Sequence, residues 1–138
     1  MSTLPNSVKT GSTARDRIAM GLMLLVALAA FYAFVTAIGT AAAVGPDAQQ
    51  VEWWRALGFL MFTGLFVLLA FGPRRYPGLW ELIILDKAAL TAIELLLIGN
   101  NAANAASTAL ADGILTIILL VAYFLVRGWA SWKRPAQQ

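Results

Sequence analysis

Four ionisable residues lie within one apolar segment of the chain, between residues 79 and 98. They are Glu81, Asp86, Lys87 and Glu94. An ionisable group at the centre of a bilayer costs about 2.5–3.5 kcal/mol on insertion scales, so such groups are candidates for a functional site by default. In this position carboxylates and an amine can move protons, bind cations or hold neighbouring helices together.

Helical spacing predicts which of these side chains share a face. At about 100° per residue, four polar residues cluster on one side of a helix, and Asp86 lies at the edge of that side. We therefore predict an intramembrane polar site formed by Asp86, Lys87, Thr91, Glu94 and Asn101. We expect the long side chain of Lys87 to extend toward the cytoplasmic surface. Glu81 points elsewhere and lies near that surface, where Arg74 or Arg75 can pair with it.

The partners of this site within the chain are expected to be neutral. We expect no charge deep in the other three apolar segments. The candidates for hydrogen bonding are hydroxyl side chains: Tyr32, Thr36, Thr40, Thr63, Thr116 and Tyr123. Two interpretations stay open. Either the polar residues form interhelical contacts worth about 0.6–2 kcal/mol each, or they serve transport, proton movement or ligand binding.

Several kinds of chemistry are excluded by composition. The 138 residues contain no cysteine and no histidine, so disulfides, thiolate nucleophiles, thiolate metal sites and the usual haem ligand are absent. No phosphate-binding loop, metal-ligand spacing or nucleophile beside a base is recognisable, which argues against an enzyme. No cofactor is identifiable, although a bound lipid or quinone is compatible with the composition. The net charge of +3 is spread along the chain, so nucleic-acid binding is not expected.

The composition favours an integral membrane protein, whose partner is the lipid bilayer. Hydrophobic residues make up 60% of the chain and charged residues only 12%, whereas soluble domains carry about 25% charged residues. Continuous apolar runs favour helices over a barrel. The first run is longer than the core of a signal peptide, so we expect a membrane span there. The predicted spans cover residues 17–43, 54–72, 79–100 and 108–128.

The predicted boundaries divide the chain into a single four-span domain, residues 14–134, and two tails, residues 1–13 and 135–138. Thr13 with Asp16 forms a weak capping box, so the first helix is expected to begin near Ala14. A short acidic loop should precede the second span. Residues 99–107 can be loop or helix, and Ser107 or Thr108 can cap the fourth helix.

The distribution of basic residues predicts the orientation of the chain. We assign Arg15, Arg17, Arg74, Arg75, Arg127, Lys133 and Arg134 to membrane edges. By the positive-inside rule, both termini and the loop after residue 72 are cytoplasmic. Short connections then give an all-α, up-down-up-down four-helix bundle. We expect it in the inner membrane of a bacterium.

Three functions are compatible with these features. The first is a structural or accessory subunit of a larger membrane complex, since the chain is small, lacks catalytic motifs and carries intramembrane charges. The second is a homo-oligomeric transporter or ion pathway that uses the carboxylates of the third helix. The third is an enzyme or a component that binds lipid or quinone, in which Asp86 or Glu94 serves as acid or base. Small residues at four-residue spacing, Ala33-Ala37-Ala41 and Ala105-Ala109-Gly113, allow close helix packing with neighbours.

Overall fold

The computed structural model describes residues 13–133. The tail predicted at residues 135–138, nearly all of the tail at residues 1–13, and Arg134 lie outside the described residues. The described chain is helical and contains no strand. Its elements are α1 (Ala14–Ala43), α2 (Pro46–Phe71), α3 (Leu79–Gly99), α4 (Ala105–Val126) and a short 3₁₀ helix (Gly128–Lys133).

Three of the helices are long and apolar enough to cross a membrane. They are α1, α2 and α4, with 30, 26 and 22 residues. Helix α3 has 21 residues, which is a spanning length, but its four ionisable side chains set it apart from the other three. The all-helical class therefore agrees with the sequence prediction, and three of the four predicted spans correspond to helices that can cross a membrane, which supports a membrane protein.

Helix α1 begins where the sequence predicted, whereas helix α2 begins earlier than predicted. The backbone N–H of Asp16 donates to Thr13 Oγ1 at 3.3 Å, and the N–H of Thr13 donates to Asp16 Oδ2 at 3.4 Å, which confirms the predicted capping box. Helix α2 begins at Pro46, so the acidic segment that we expected as a loop is helical. Proline at the first helical position explains this start, because its missing N–H would have no partner there.

The connection between α3 and α4 is a short turn. Helix α4 begins at Ala105 with Asn104 as its cap, so the predicted cap at Ser107 or Thr108 is wrong. Instead, both of those hydroxyls donate to the carbonyl of Asn104, at 2.9 and 3.0 Å. Asn101 and Asn104 take left-handed backbone conformations, with φ of 54° and 65°, which asparagine tolerates better than most residues.

Helix packing is uneven along the molecule. Helices α1 and α2 pack closely together, as do α3 and α4, and α1 also packs on α4. The backbones of α2 and α3 lie further apart, and their side chains meet in the core. Helices α3 and α4 run antiparallel, because Glu81 meets Tyr123 while Thr91, further along α3, faces Gly113. The fully buried large side chains concentrate at one end of the helices: Met23, Phe66, Leu69, Trp80, Ile83, Leu119 and Val126.

The stripes of small residues lie at helix contacts, as their spacing predicted. Ala105 and Ala109 of α4 are buried, as are Ala37 and Ala41 of α1. A Cβ added at Gly113 would lie 3.6 Å from Thr91 Cγ2. The backbones of α3 and α4 therefore come close together beside the predicted polar site.

Candidate functional site

The Lys87 ammonium lies at the centre of a charged cluster between α3 and α4. Its Nζ is 3.3 Å from Asp86 Oδ2 and 3.6 Å from Asp112 Oδ1. It also lies 3.9 Å from the centroid of the Phe62 ring, a cation–π distance. Lys87 is only 7% exposed. The expectation that Lys87 extends to the cytoplasmic surface is therefore wrong: its side chain turns inward to a carboxylate on α4.

The register of the two helices explains this contact. Lys87 stands eight residues after the start of α3, about 12 Å along its axis. Asp112 stands 14 residues before the end of α4, about 21 Å from the same end of the molecule. Because the helices are antiparallel, the two side chains approach each other from both sides of the helix midpoints. The ion pair thus lies near the middle of the helices.

Asp112 was not predicted as part of the site, and the expectation of no charge deep in the fourth apolar segment is wrong. The sequence predicted that the fourth helix starts at Ser107 or Thr108. Asp112 would then lie near the N-terminus of this helix, where acidic residues are common. Since α4 begins at Ala105, Asp112 lies a third of the way along it. The small-residue stripe through Ala109 was the available signal, because it predicted the face of α4 that packs on a neighbour, and Asp112 lies next to that face.

The structure brings together only part of the predicted polar set. Thr91 lies one turn beyond Lys87 and donates to the Lys87 carbonyl at 2.8 Å. Glu94 is half-buried and forms no hydrogen bond or ion pair with any residue between 13 and 133. Asn101 lies in the exposed turn after α3. The site therefore consists of Asp86, Lys87, Asp112 and the neighbouring Thr91.

The cluster contains more negative than positive charge. Two carboxylates face one ammonium, so the fully ionised group carries a net charge of −1. The carboxylate of Asp86 has one oxygen, Oδ2, that is buried without a hydrogen bond, although it lies close to the lysine. This arrangement leaves capacity for one further hydrogen-bond donor, proton or cation.

An apolar cleft adjoins the cluster. It has a volume of about 360 Å³, and its polar lining comes from Lys87 and Asp112. The aromatic series predicted on α2, Phe59, Phe62 and Phe66, forms one wall. Aliphatic residues complete the lining: Leu25, Val26, Ala29, Ala30, Ala33, Ala111, Ile114, Leu115 and Ile118. Ligand sites typically have volumes of about 300–1,000 Å³ and apolar walls with a few polar groups, a description that fits this cleft.

None of the neutral hydroxyls predicted as partners bonds to Asp86 or Glu94, and Tyr32 is 71% exposed without a hydrogen bond to any residue between 13 and 133. Thr36, Thr40, Thr63 and Thr116 each donate to a carbonyl of their own helix, three or four residues back. Tyr123 is the exception, because its hydroxyl donates to Glu81 at 2.8 Å. The central carboxylates thus receive no bond from these four threonine side chains.

Glu81 belongs to a separate contact at one end of the molecule. It accepts hydrogen bonds from Tyr123 and from Trp132 Nε1, the latter at 3.1 Å. Arg74 instead pairs with Asp16 at 2.6 Å and donates through Nε to the Val126 carbonyl at 2.7 Å. The predicted pairing of Glu81 with Arg74 or Arg75 is therefore wrong.

The other predicted edge charges between residues 13 and 133 lie at this same end. Arg15 and Arg17 lie in the first turn of α1, Arg127 follows α4, and Lys133 ends the 3₁₀ helix. The guanidinium of Arg75 lies 5.8 Å from the centroid of the Tyr76 ring. This end of the molecule is therefore strongly basic.

Comparison with known proteins adds no relative. The chain matches no known family model, and neither curated proteins nor solved structures give a significant match.

Proposed function

We propose that this chain is an integral membrane protein that binds a lipophilic molecule with a polar head group, of the lipid or quinone class, in the cleft beside Lys87 and Asp112. The observation that carries the proposal is the cleft itself. Its walls are aromatic and aliphatic, and its polar lining is an ion pair near the middle of the helices. Apolar walls accept the hydrophobic body of the ligand, while Lys87 and Asp112 can donate to and accept from its head group.

The orientation of the chain belongs to the same proposal. The four helices form an up-down-up-down bundle, with both termini and the segment after residue 72 on the cytoplasmic side of a bacterial inner membrane. The clustering of Arg15, Arg74 and Arg127 at one end supports this orientation, through the positive-inside rule. The ligand then enters from the bilayer.

A cleft-filling substitution tests the binding proposal. Ala29 lines the cleft on α1 and is exposed, so Ala29→Phe places a ring in the cleft without crowding the core. Ala42→Phe is the matched control, because Ala42 is exposed on the same helix outside the lining. The protein is purified in mild detergent and the lipophilic compounds that it retains are measured by mass spectrometry.

We expect one retained compound class in the wild type and in Ala42→Phe, and its loss in Ala29→Phe. Asp112→Asn should reduce retention while leaving the cleft open. Equal retention of the same bulk phospholipids by all variants would overturn the proposal.

A second candidate function is that of an accessory subunit in a membrane complex. The second half of α3 favours it, because no residue from Ala88 to Gly99 is buried and Leu96 is 74% exposed. Glu94 lies on this half without a partner in the described chain. A neighbouring transmembrane helix that carries a lysine, arginine or amide would neutralise or hydrogen-bond this carboxylate.

Site-specific crosslinking tests the subunit proposal. A photoreactive residue at Leu96 should crosslink to another chain, whereas one at Leu28 of α1, also exposed, should not. Glu94→Leu should weaken the crosslink if the carboxylate contacts the partner. A monomer alone at both positions in native membranes would contradict this candidate.

A further inference from the structure

A second cavity lies at the basic end of the helices. Its volume is about 480 Å³, and three arginines line it together with smaller residues: Thr13, Ala14, Arg15, Arg74, Leu125 and Arg127. The arginines come from three separate segments, namely the start of α1, the turn after α2 and the end of α4. The fold therefore assembles this cavity from parts that are distant in the sequence.

The three arginines differ in their contacts. Arg74 already has partners, since it pairs with Asp16 and donates to the Val126 carbonyl. The exposed side chains of Arg15 and Arg127 form no ion pair with any residue that the structure describes. Asp16 neutralises the charge of Arg74, so the positive charges of Arg15 and Arg127 remain at the cavity.

The backbone at Arg127 supports a role for its side chain. Arg127 ends α4 in the left-handed conformation, with φ of 52° and ψ of 57°. For a residue other than glycine or asparagine this conformation costs on the order of 1 kcal/mol. Glycine would adopt it at no such cost. The arginine at this position therefore keeps a positive charge beside the cavity at a small conformational cost.

We propose that this cavity binds the phosphate of an anionic phospholipid. Arginine is suited to phosphate because its planar guanidinium donates two parallel hydrogen bonds to the oxygens. Leu125 adds an apolar surface to the lining beside the arginines. The proposal rests on the membrane orientation given above, which puts the cavity at the cytoplasmic headgroup level, where anionic lipids bind basic pockets.

Lipid retention tests this proposal. The protein is reconstituted in nanodiscs of phosphatidylcholine with a minor fraction of phosphatidylglycerol, and the lipids that stay bound on release are counted by native mass spectrometry. We expect enrichment of phosphatidylglycerol over its bulk fraction. Each of Arg15→Gln and Arg127→Gln should lower the enrichment about fivefold, the factor expected for one basic residue at a membrane surface. Arg75→Gln removes the same charge one residue from Arg74, outside the cavity, and should have little effect.

Each alternative result has a distinct meaning. Equal effects of Arg75→Gln and the two cavity variants would overturn the proposal, because net charge alone would then explain the enrichment. Tight binding of added inorganic phosphate without phosphatidylglycerol enrichment would also overturn it, in favour of a free-phosphate site. Arg15→Gln keeps the test valid if Arg127→Gln fails to fold. The cleft ligand of Lys87 should be retained in both variants, so failure here leaves the proposed function standing.

Discussion

The Lys87 ammonium lies between two carboxylates and above an aromatic ring, near the middle of a helical protein. Burying charges costs several kcal/mol each, and their attraction offsets this cost only when the partners are close. Breaking a buried pair by removing one partner is expected to cost about 3–5 kcal/mol, whereas replacing both by apolar residues is often neutral. Stability alone would therefore not require this pair, which supports a role for it in binding.

Substitution of Lys87 and Asp112, singly and together, should measure the interaction energy of this ion pair apart from the other contacts of each residue. Lys87→Met leaves two facing carboxylates, and Asp112→Leu leaves Lys87 with Asp86 alone, so each should lower the free energy of unfolding. The double variant should lose less than the two single losses together, with a coupling of about 0.5–3 kcal/mol. Denaturant unfolding in detergent measures the three values.

The control is the combination of Lys87→Met with Glu52→Gln at the far end of α2, whose effects should add. Simple additivity of Lys87→Met and Asp112→Leu would contradict the pairing.

Gly128 allows the chain to turn back after α4. A Cβ at this position would lie 2.3 Å from Tyr123 Cδ2 and 3.0 Å from Trp80 Cδ1. Gly128→Ala should therefore destabilise the protein by about 1–3 kcal/mol, the usual cost of overpacking, and lower Tm in detergent. Gly64→Ala is the control, because nothing lies within 4 Å of its added Cβ. If both variants had the same Tm as the wild type, the packing at Gly128 would be wrong.

The turn between α2 and α3 contacts the ends of two other helices. Arg74 joins it to the start of α1 through Asp16 and to the end of α4 through the Val126 carbonyl. Trp80 Nε1 donates to the Pro73 carbonyl at 2.7 Å within the same region. These contacts hold three helix ends together around the core, while the opposite end of α3 has no buried residue.

Neutralising Arg74 should loosen this end of the molecule. Arg74→Gln removes the ion pair with Asp16, and hydrogen bonds to charged groups contribute about 1.5–3 kcal/mol each. We expect a lower Tm than in Arg75→Gln, which changes the same charge at an exposed position. Thermal unfolding of the two variants in the same detergent makes the comparison, and a lower Tm for Arg75→Gln would contradict the connecting role of Arg74.

Sequence patterns predicted the helices better than their ends and contacts. Apolar run length and the Thr13 capping box gave the helical class and the start of α1. The start of α4 was missed because Asn104 caps it through its backbone conformation, without a side-chain hydrogen bond. Because of that error Asp112 was not considered as a partner, and the inward direction of the Lys87 side chain was not predicted. Pairing between α3 and α4 depends on register, which no pattern within one helix determines.

For the whole molecule, apolar side chains cover the outer faces of the helices. Leu28 of α1, Met61 of α2, Leu82 of α3 and Ile117 of α4 are all more than half exposed. Contiguous exposed apolar surface on this scale is typical of contact with lipid. Trp53 and Trp54 lie near the start of α2, whereas Trp129 and Trp132 follow α4, which resembles the aromatic belts at the two surfaces of a bilayer.

Thiol labelling should establish the orientation. The sequence has no cysteine, so each single variant carries one thiol. An impermeant maleimide added to intact cells should label Gln50→Cys and Ala102→Cys, both exposed positions. It should label Arg75→Cys only after the cells are permeabilised, because the proposed orientation puts this turn in the cytoplasm. Labelling of Arg75→Cys in intact cells would reverse the proposed topology.

The central claim is that the cleft beside Lys87 and Asp112 holds a particular lipophilic molecule. The most direct measurement places a photoreactive residue at Ile118, which lines the cleft, or at Leu120, which is exposed outside it. After irradiation in native membranes, we expect one discrete adduct mass at position 118 and the mixed masses of bulk phospholipids at position 120. The same phospholipid mixture at both positions would contradict this claim.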